Sequence, residues 1–292
     1  MNSFHDRLAS PQVLLLDGGL GTLLMAAGLP AGTPPELWNV ENPDAVQAAH
    51  RAYVDAGSDA VHANTFGANP LRLAHVGLTG RAAELNQAGV ALARAAKARY
   101  VIGDMGPTGE FLPPVGHGNV EAWREAFVAQ AEILRAAGVD AFHIETMMDR
   151  REASAALAAV RSVAPELPVM VSLTFDRKKK GFFTAFGDQP ETALVQLAAE
   201  GAAAVGANCS LASRDMAELV NRAAPQVTAL VVQPNAGRPR QHGDRCRYEE
   251  EPDSFAHTMV QALVPGLCAL GGCCGTTPAF ISALRQQLER LR

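Results

Sequence analysis

Short apolar runs alternate with longer segments of helical periodicity along the whole chain. The first run is Val13-Leu14-Leu15-Leu16-Asp17, and Gly18-Gly19-Leu20-Gly21-Thr22 behind it predicts a tight turn or a helix entry. Asn42-Pro43 then offers an N-cap with a first-turn proline, and Val46, Ala49, Tyr53 and Val54 recur at helical spacing until Gly57. A second strand is expected over Asp59 to Asn64, a helix over about Arg81 to Ala98, and a third strand over Tyr100 to Asp104. Asn119 caps the next helix, in which Trp123, Phe127 and Leu134 share a face, and Gly138 ends it. Beyond it the alternation predicts strands at 140–145, 169–175, 203–208, 228–233 and 267–270. Helices fill the intervals: one to about Val163, one from Pro190 to Gly201, one over Ser213 to Ala224, one to about Val264, and a last from Thr277-Pro278.

Strand and helix in strict turn yield a parallel sheet, and eight rounds close into a (β/α)8 TIM-type barrel. An open doubly wound sheet is the competing arrangement. An internal echo favours repeated β-α units in one domain over 1–292. It is carried by Ala56-Gly57-Ser58-Asp59-Ala60-Val61, Ala137-Gly138-Val139-Asp140-Ala141-Phe142 and Glu200-Gly201-Ala202-Ala203-Ala204-Val205. Each glycine is placed to end its helix in a left-handed conformation. Two connections, 106–118 and 234–252, are too long for plain linkers and are candidate binding loops.

Composition narrows the function classes. Of the 292 residues 48% are hydrophobic and 19% charged, which suits a large buried core. The net charge of -5 and the scatter of basic residues leave no stripe to follow a nucleic-acid backbone. The one basic run, Arg177-Lys178-Lys179-Lys180, reads as a solvated loop. Met1 to Gln12 lacks a signal-peptide core, and no apolar run reaches the roughly 18 residues of a membrane span, so a cytoplasmic location with no membrane partner is expected. The odd count of 5 cysteines argues for reduced thiols over a disulfide framework.

The thiols are where chemistry gathers. Gly271-Gly272-Cys273-Cys274-Gly275-Thr276 closes the last apolar run, and Gly206-Ala207-Asn208-Cys209-Ser210 closes the sixth. Neighbours on a strand point to opposite faces, so only a turn aims both Cys273 and Cys274 at one point, and the flanking glycines permit one. In a barrel all strand carboxyl ends share one rim, which would also carry Asp17, Asn64, Asp104, Glu145 and Asn235. Three thiolates there fit zinc with its fourth position open. Several plainer assignments stand beside this. Cys268 reads as a small buried hydrophobe and Cys246 as incidental in a polar loop. His143 with Glu145, and His62 with Asn64, share strand faces and would suit a hydrolytic metal site. The glycines after Asp17 resemble a phosphate cradle, but Leu24 stands where a third glycine is due.

Taken together, Asp17-Gly18-Gly19-Leu20-Gly21-Thr22, Asn64-Thr65-Phe66-Gly67, Gly103-Asp104-Met105-Gly106-Pro107-Thr108-Gly109-Glu110, Gly206-Ala207-Asn208-Cys209-Ser210, Gln233-Pro234-Asn235-Ala236-Gly237 and the paired-cysteine motif resemble the homocysteine S-methyltransferase family. The likeness spans nearly the whole chain, in order, and is nearest the homocysteine-binding module of cobalamin-dependent methionine synthase. It implies a β/α barrel holding zinc through Cys209, Cys273 and Cys274. It also implies that Asp17 with Gly18, and Glu145, hold the amino-acid end of homocysteine, and that Asn235 approaches the metal when substrate is absent. The expected chemistry is attack of a zinc-bound homocysteine thiolate on a methyl donor, giving methionine.

No folate- or corrinoid-binding segment is recognised within the 292 residues, so the expected donor is a methyl-corrinoid on a separate protein. Betaine or S-methylmethionine is the alternative. An onium donor calls for aromatics around the cation, and Trp38, in Pro35-Glu36-Leu37-Trp38-Asn39, is the one such residue expected in a rim loop. A different class is a non-catalytic zinc-thiolate subunit that only docks substrate; the open fourth position argues against it, because structural zinc has four protein ligands.

Overall fold

A computed structural model describes residues 3–242 and 245–291. Eight strands form one sheet: β1 Leu14–Leu15, β2 Ala60–His62, β3 Tyr100–Met105, β4 Ala141–Met147, β5 Val169–Leu173, β6 Ala204–Ala212, β7 Leu230–Asn235 and β8 Leu267–Leu270. Every ladder between neighbours is parallel, and the order β2-β3-β4-β5-β6-β7-β8-β1 follows the chain around a nearly closed barrel. The seam between β1 and β2 is closed by Asp59. Its N–H donates to Leu15 O at 2.7 Å and its Oδ2 accepts from Leu15 N at 2.9 Å. Arg7 and Arg285 hold the same carboxylate from either side, at 2.8 and 2.9 Å.

The two-residue period of the strands sorts their side chains. Outward, Val61, Val101, Phe142, Val171, Val205 and Val232 meet the helix faces, where Trp123, Phe127 and Leu134 are fully buried as their spacing predicts. Each such side chain contributes roughly 1.5–3 kcal/mol. Inward, the lowest layer is apolar, with Leu14, Ala60, Tyr100, Ala141, Met170 and Val231 in contact. A short helix, Phe4–Leu8, started by a capping box between Ser3 and Asp6, seals this end with Phe4 and Leu8. Two positions further along, or four on β3, the inward residues become polar: His62, Asp104, His143, Ser172 and Gln233, with Asn64, Glu145, Asn208 and Asn235 above them. The apolar floor carries stability, and the polar upper layers define the end where a site is built.

The three echo glycines do end their helices left-handed, Gly57 at φ 102°, Gly138 at 82° and Gly201 at 100°. Differences from the expected elements lie in the connections. β1 is shorter than its apolar run because Leu16 and Asp17 turn to serve β8 and β2, Leu16 N donating to Leu270 O at 2.8 Å. β6 continues past Asn208 to Ala212 through a register shift. The basic run is exposed as expected but forms a hairpin, Asp176–Lys178 with Gly181–Phe183, and Arg177 bonds Asp215 at 2.7 Å. A second hairpin, Arg240–His242 with Arg245–Arg247, lies in the loop after β7; the Cys246 side chain falls outside the described residues. Trp38 is not on an open rim loop. It sits in the helical turn Trp38–Glu41 and is buried among Leu24, Leu29, Val46 and Ala49. Among the described residues no helix is long and apolar enough to cross a membrane.

Candidate metal and substrate site

Cys209 owes its direction to the irregularity in β6. The ladder to β7 shifts between Asn208 and Ala212, and Cys209 and Ser210 take φ values of 59° and 53°. Two successive non-glycine residues in the left-handed region cost roughly 1–2 kcal/mol each, and the bulge this creates re-aims a side chain. The Ser210 hydroxyl, 2.8 Å from Thr174 Oγ1, pins the distorted segment.

Cys273 and Cys274 follow β8 in a turn stitched by three bonds to the ends of β1 and β7. Gly272 N donates to Asp17 O at 2.9 Å, Cys273 N to Pro234 O at 2.8 Å, and Ala236 N to Cys274 O at 3.0 Å. These bonds do what the flanking glycines suggested, bringing both thiols to one side.

The three sulfurs meet. Cys209 Sγ lies 3.9 Å from Cys274 Sγ, Cys273 Sγ lies 4.0 Å from Cys274 Sγ, and all three fall within 4.8 Å of one another. A tetrahedral site with zinc–sulfur bonds of about 2.3 Å has sulfur–sulfur edges of about 3.8 Å, so the trio fits the ion with little adjustment. Among the described residues no fourth histidine, cysteine or carboxylate joins the group.

Protons tell the same story. Hydrogen bonds from Cys273 and Cys274 draw the Cys209 thiol down to about 3, while contact with Cys209 pushes Cys274 up to about 12 and Cys273 well above its usual range. One negative charge is shared by three sulfurs, and a second and third thiolate require a cation among them. The Asn235 side chain also bonds Cys209, and its Oδ1 is buried without a partner, an unused acceptor oxygen in the residue that touches the sulfurs. Cys268 stands apart as expected, buried, with Sγ on Leu230 O at 3.1 Å and its thiol pushed up to about 12 by burial.

A cavity of about 360 Å³ opens beside the sulfurs, with Glu145, Asp104, Asn64 and the Gly18–Gly19 backbone on its wall. Burial, against the pull of His62, pushes Glu145 up to about 7, and the Cys209 and Asp17 charges add to this. Asn208, which sequence reasoning passed over as a mere neighbour of Cys209, ties this carboxylate to the metal side. Its Nδ2 donates to Glu145 Oε2 at 2.9 Å and lies 3.9 Å from Cys273 Sγ, while its Oδ1 accepts from Thr146 N at 2.8 Å. The two-residue period from Ala204 through Gly206 would have placed it facing inward. Gly18 is on the cavity wall because nothing larger fits: a Cβ there would stand 2.8 Å from Thr276 Oγ1 and 2.9 Å from Tyr53 Cε1.

Asp17 lies behind that wall, fully buried, with both oxygens engaged by one residue. Oδ1 is 2.6 Å from His62 Nδ1, and Oδ2 accepts from His62 N at 2.9 Å. The chain continues inward from His62 Nε2 to His143 Nδ1 at 2.8 Å and from His143 Nε2 to Ser172 Oγ at 2.8 Å. Burial alone would hold the His62 pKa down, but the charge and hydrogen bond of Asp17, with Asp104 and Glu145, raise it to about 9. His143 is held well below its ordinary value by burial and by the His62 charge. His62 is therefore an imidazolium donating from both nitrogens, and neutral His143 accepts at Nδ1 and donates from Nε2. His62, His143 and Glu145 also offer ligand atoms within 4.8 Å of one another, and all four ring nitrogens are engaged in hydrogen bonds.

A stability effect follows with a definite sign. A histidine raised from 6.5 to about 9 on folding stabilises the protein fully below pH 6.5, and the contribution is lost as pH rises through about 9. Urea titrations at pH 6 and 9.5 should show the native protein losing a few kcal/mol more over this interval than the His62→Gln variant; equal losses would exclude the buried imidazolium.

Comparison with known proteins agrees with the geometry. Over 303 aligned positions the chain is 32% identical to methionine synthase of Mycobacterium tuberculosis, covering 97% of this chain and 25% of that protein. The Mycobacterium leprae methionine synthase is 30% identical over 96% of the chain and 24% of its own length. The chain thus spans about a quarter of the relatives it matches. The metallated form of the homocysteine methyltransferase MmuM from Escherichia coli superposes with a TM-score of 0.79 at 27% identity, covering 98% of this chain and all of that one. The homocysteine S-methyltransferase sequence profile matches residues 14–288. A barrel of this form, with its sulfurs gathered at the carboxyl ends of the strands and a profile match over nearly its full length, belongs to the homocysteine S-methyltransferase family, whose members are methyltransferases.

Proposed function

We propose that this chain methylates the sulfur of homocysteine, giving methionine, with zinc held by Cys209, Cys273 and Cys274. The observation that carries this is the convergence of three sulfurs, with no fourth protein ligand among the described residues, on the wall of a cavity of about 360 Å³. Zinc supplies a site where a substrate thiol, with an ordinary pKa near 8.5, is held as the nucleophilic thiolate at neutral pH. The chain's own residues then orient the amino acid. Glu145, fixed by Asn208, receives the ammonium group, and the Gly18 backbone forms the wall beside it. Asp17, held by His62, fixes that wall from behind. Asn235, with its unpartnered Oδ1, is the group that approaches the metal in the absence of substrate.

In the transfer a sulfur–carbon bond forms to the donor methyl, and the bond from that methyl to its leaving group breaks with its electron pair. A corrinoid on a separate protein is the first donor proposed. The similarity to the methionine synthases, of which this chain spans about a quarter, supports it. A small cationic donor such as betaine or S-methylmethionine is the second reading, favoured by Phe66 and buried Glu36 on the cavity wall, an aromatic and a carboxylate that suit an onium group.

Two measurements test these proposals. X-ray absorption of the zinc-loaded protein should change from three sulfurs and a lighter ligand to four sulfurs when homocysteine is added; an unchanged shell would instead mark a closed structural centre. Turnover with homocysteine and betaine, S-methylmethionine or methylcobalamin should then separate the donors. Activity with either onium compound in the absence of any corrinoid would reject the corrinoid proposal.

A further inference from the structure

Asp104 is a carboxylate of the cavity that has no role yet. It stands on β3 and lines the cavity, and its Oδ1 is buried with no hydrogen-bond partner. Its backbone is fixed on both sides by Thr65, whose Oγ1 donates to Asp104 O at 2.8 Å and faces Asp104 N at 3.2 Å. These bonds fix the position from which the carboxyl group projects.

The ionisable groups acting on Asp104 are Glu145, Asp17 and Glu36, all acidic, and the His62 imidazolium. That imidazolium is already committed to Asp17 and His143. Burial and the neighbouring Glu145, against the pull of His62, push Asp104 well above the usual carboxylate range.

An arriving ammonium group has three N–H donors to share among acceptors. Glu145 offers one acceptor. Asp17 is fully buried and does not line the cavity. Asp104 pairs in register with His143, one inward layer below Glu145.

We propose that Asp104 is a recognition residue for the α-ammonium group of the amino-acid thiol, accepting one N–H at Oδ1 while Glu145 accepts another. This rests on homocysteine being the substrate. It makes the site selective for thiols that carry an amine over thiols that carry only a carboxylate.

The test needs no methyl donor. Zinc-loaded protein is titrated calorimetrically with homocysteine and with 4-mercaptobutyrate, which has the same thiol and carboxylate but no ammonium. The intact protein should prefer homocysteine. Asp104→Asn should weaken homocysteine binding by about 10- to 100-fold, leave 4-mercaptobutyrate unchanged and keep its full zinc content. Asp104→Ser, which removes the charge without adding an amide donor, gives the same comparison if the asparagine variant does not fold.

Equal weakening of both ligands would reduce Asp104 to a structural part and overturn the proposal. So would unchanged homocysteine binding. If the zinc-loaded intact protein fails to bind homocysteine at all, the substrate assignment itself falls, an outcome visible before any variant is made.

Discussion

Replacing Cys273 by alanine is expected to strip the barrel of its metal and to lower methyl transfer by about a thousandfold or more. Cys273 supplies one of three sulfurs within 4.8 Å of one another. Removing it leaves two protein ligands, too few to hold zinc against solvent. Loss of the ion leaves the incoming thiol mostly protonated and removes several kcal/mol of charge stabilisation, each ~1.4 kcal/mol of which is tenfold in rate. Fold stability should change little, because the side chain stands on a cavity wall and outside the apolar clusters. Metal analysis and turnover on the same sample provide the check. Full turnover by zinc-free variant protein would refute the proposed chemistry. Cys268→Ala is the matched control: it deletes a buried thiol with no sulfur neighbour and should keep both zinc and activity.

The second large effect is expected far from any reacting atom. Gly206→Ala should yield no stably folded protein, or one destabilised by more than about 4 kcal/mol. Gly206 pairs in register with Val231 on β7, and a Cβ there would stand 1.7 Å from Val231 O, a backbone atom that cannot swing aside. Relief requires β6 to part from β7, three residues before Cys209. Even a folded variant would therefore misplace the thiol. Gly138→Ala offers the contrast, since its Cβ meets nothing within 4 Å and only the positive φ of 82° opposes it. That change should cost about 1 kcal/mol, and thermal melts of the two variants would separate steric exclusion from backbone preference.

Much of this arrangement is readable from residue order because the determinants are local. Apolar runs separated by amphipathic segments place all eight strands, and the glycines at 57, 138 and 201 mark helix ends in the conformation they adopt. The convergence of Cys209 with Cys273 and Cys274 also follows once the barrel is granted, because strand carboxyl ends share a rim.

What the residue order hides is who satisfies whom. Asp17 was expected at the substrate, but nothing local reveals that His62 takes both its oxygens. The left-handed pair Cys209–Ser210 is equally hidden, since neither residue type favours that region and only the mismatch with β7 imposes it. Trp38, in a segment rich in turn formers, is drawn inside by Leu24, Leu29 and Val46, which lie elsewhere along the chain.

The Asp59 clamp bears on when, as well as where, the site comes into being. Its two guanidinium partners belong to the first helix and the last, and the Arg285 contact spans 226 positions of sequence. Contacts so distant form late, after most of the loop entropy has been spent. A nascent polypeptide lacking its final β/α unit has neither the second arginine nor the Cys273-Cys274 pair. Barrel closure and the gathering of the three thiols are thus completed by the same stretch of translation.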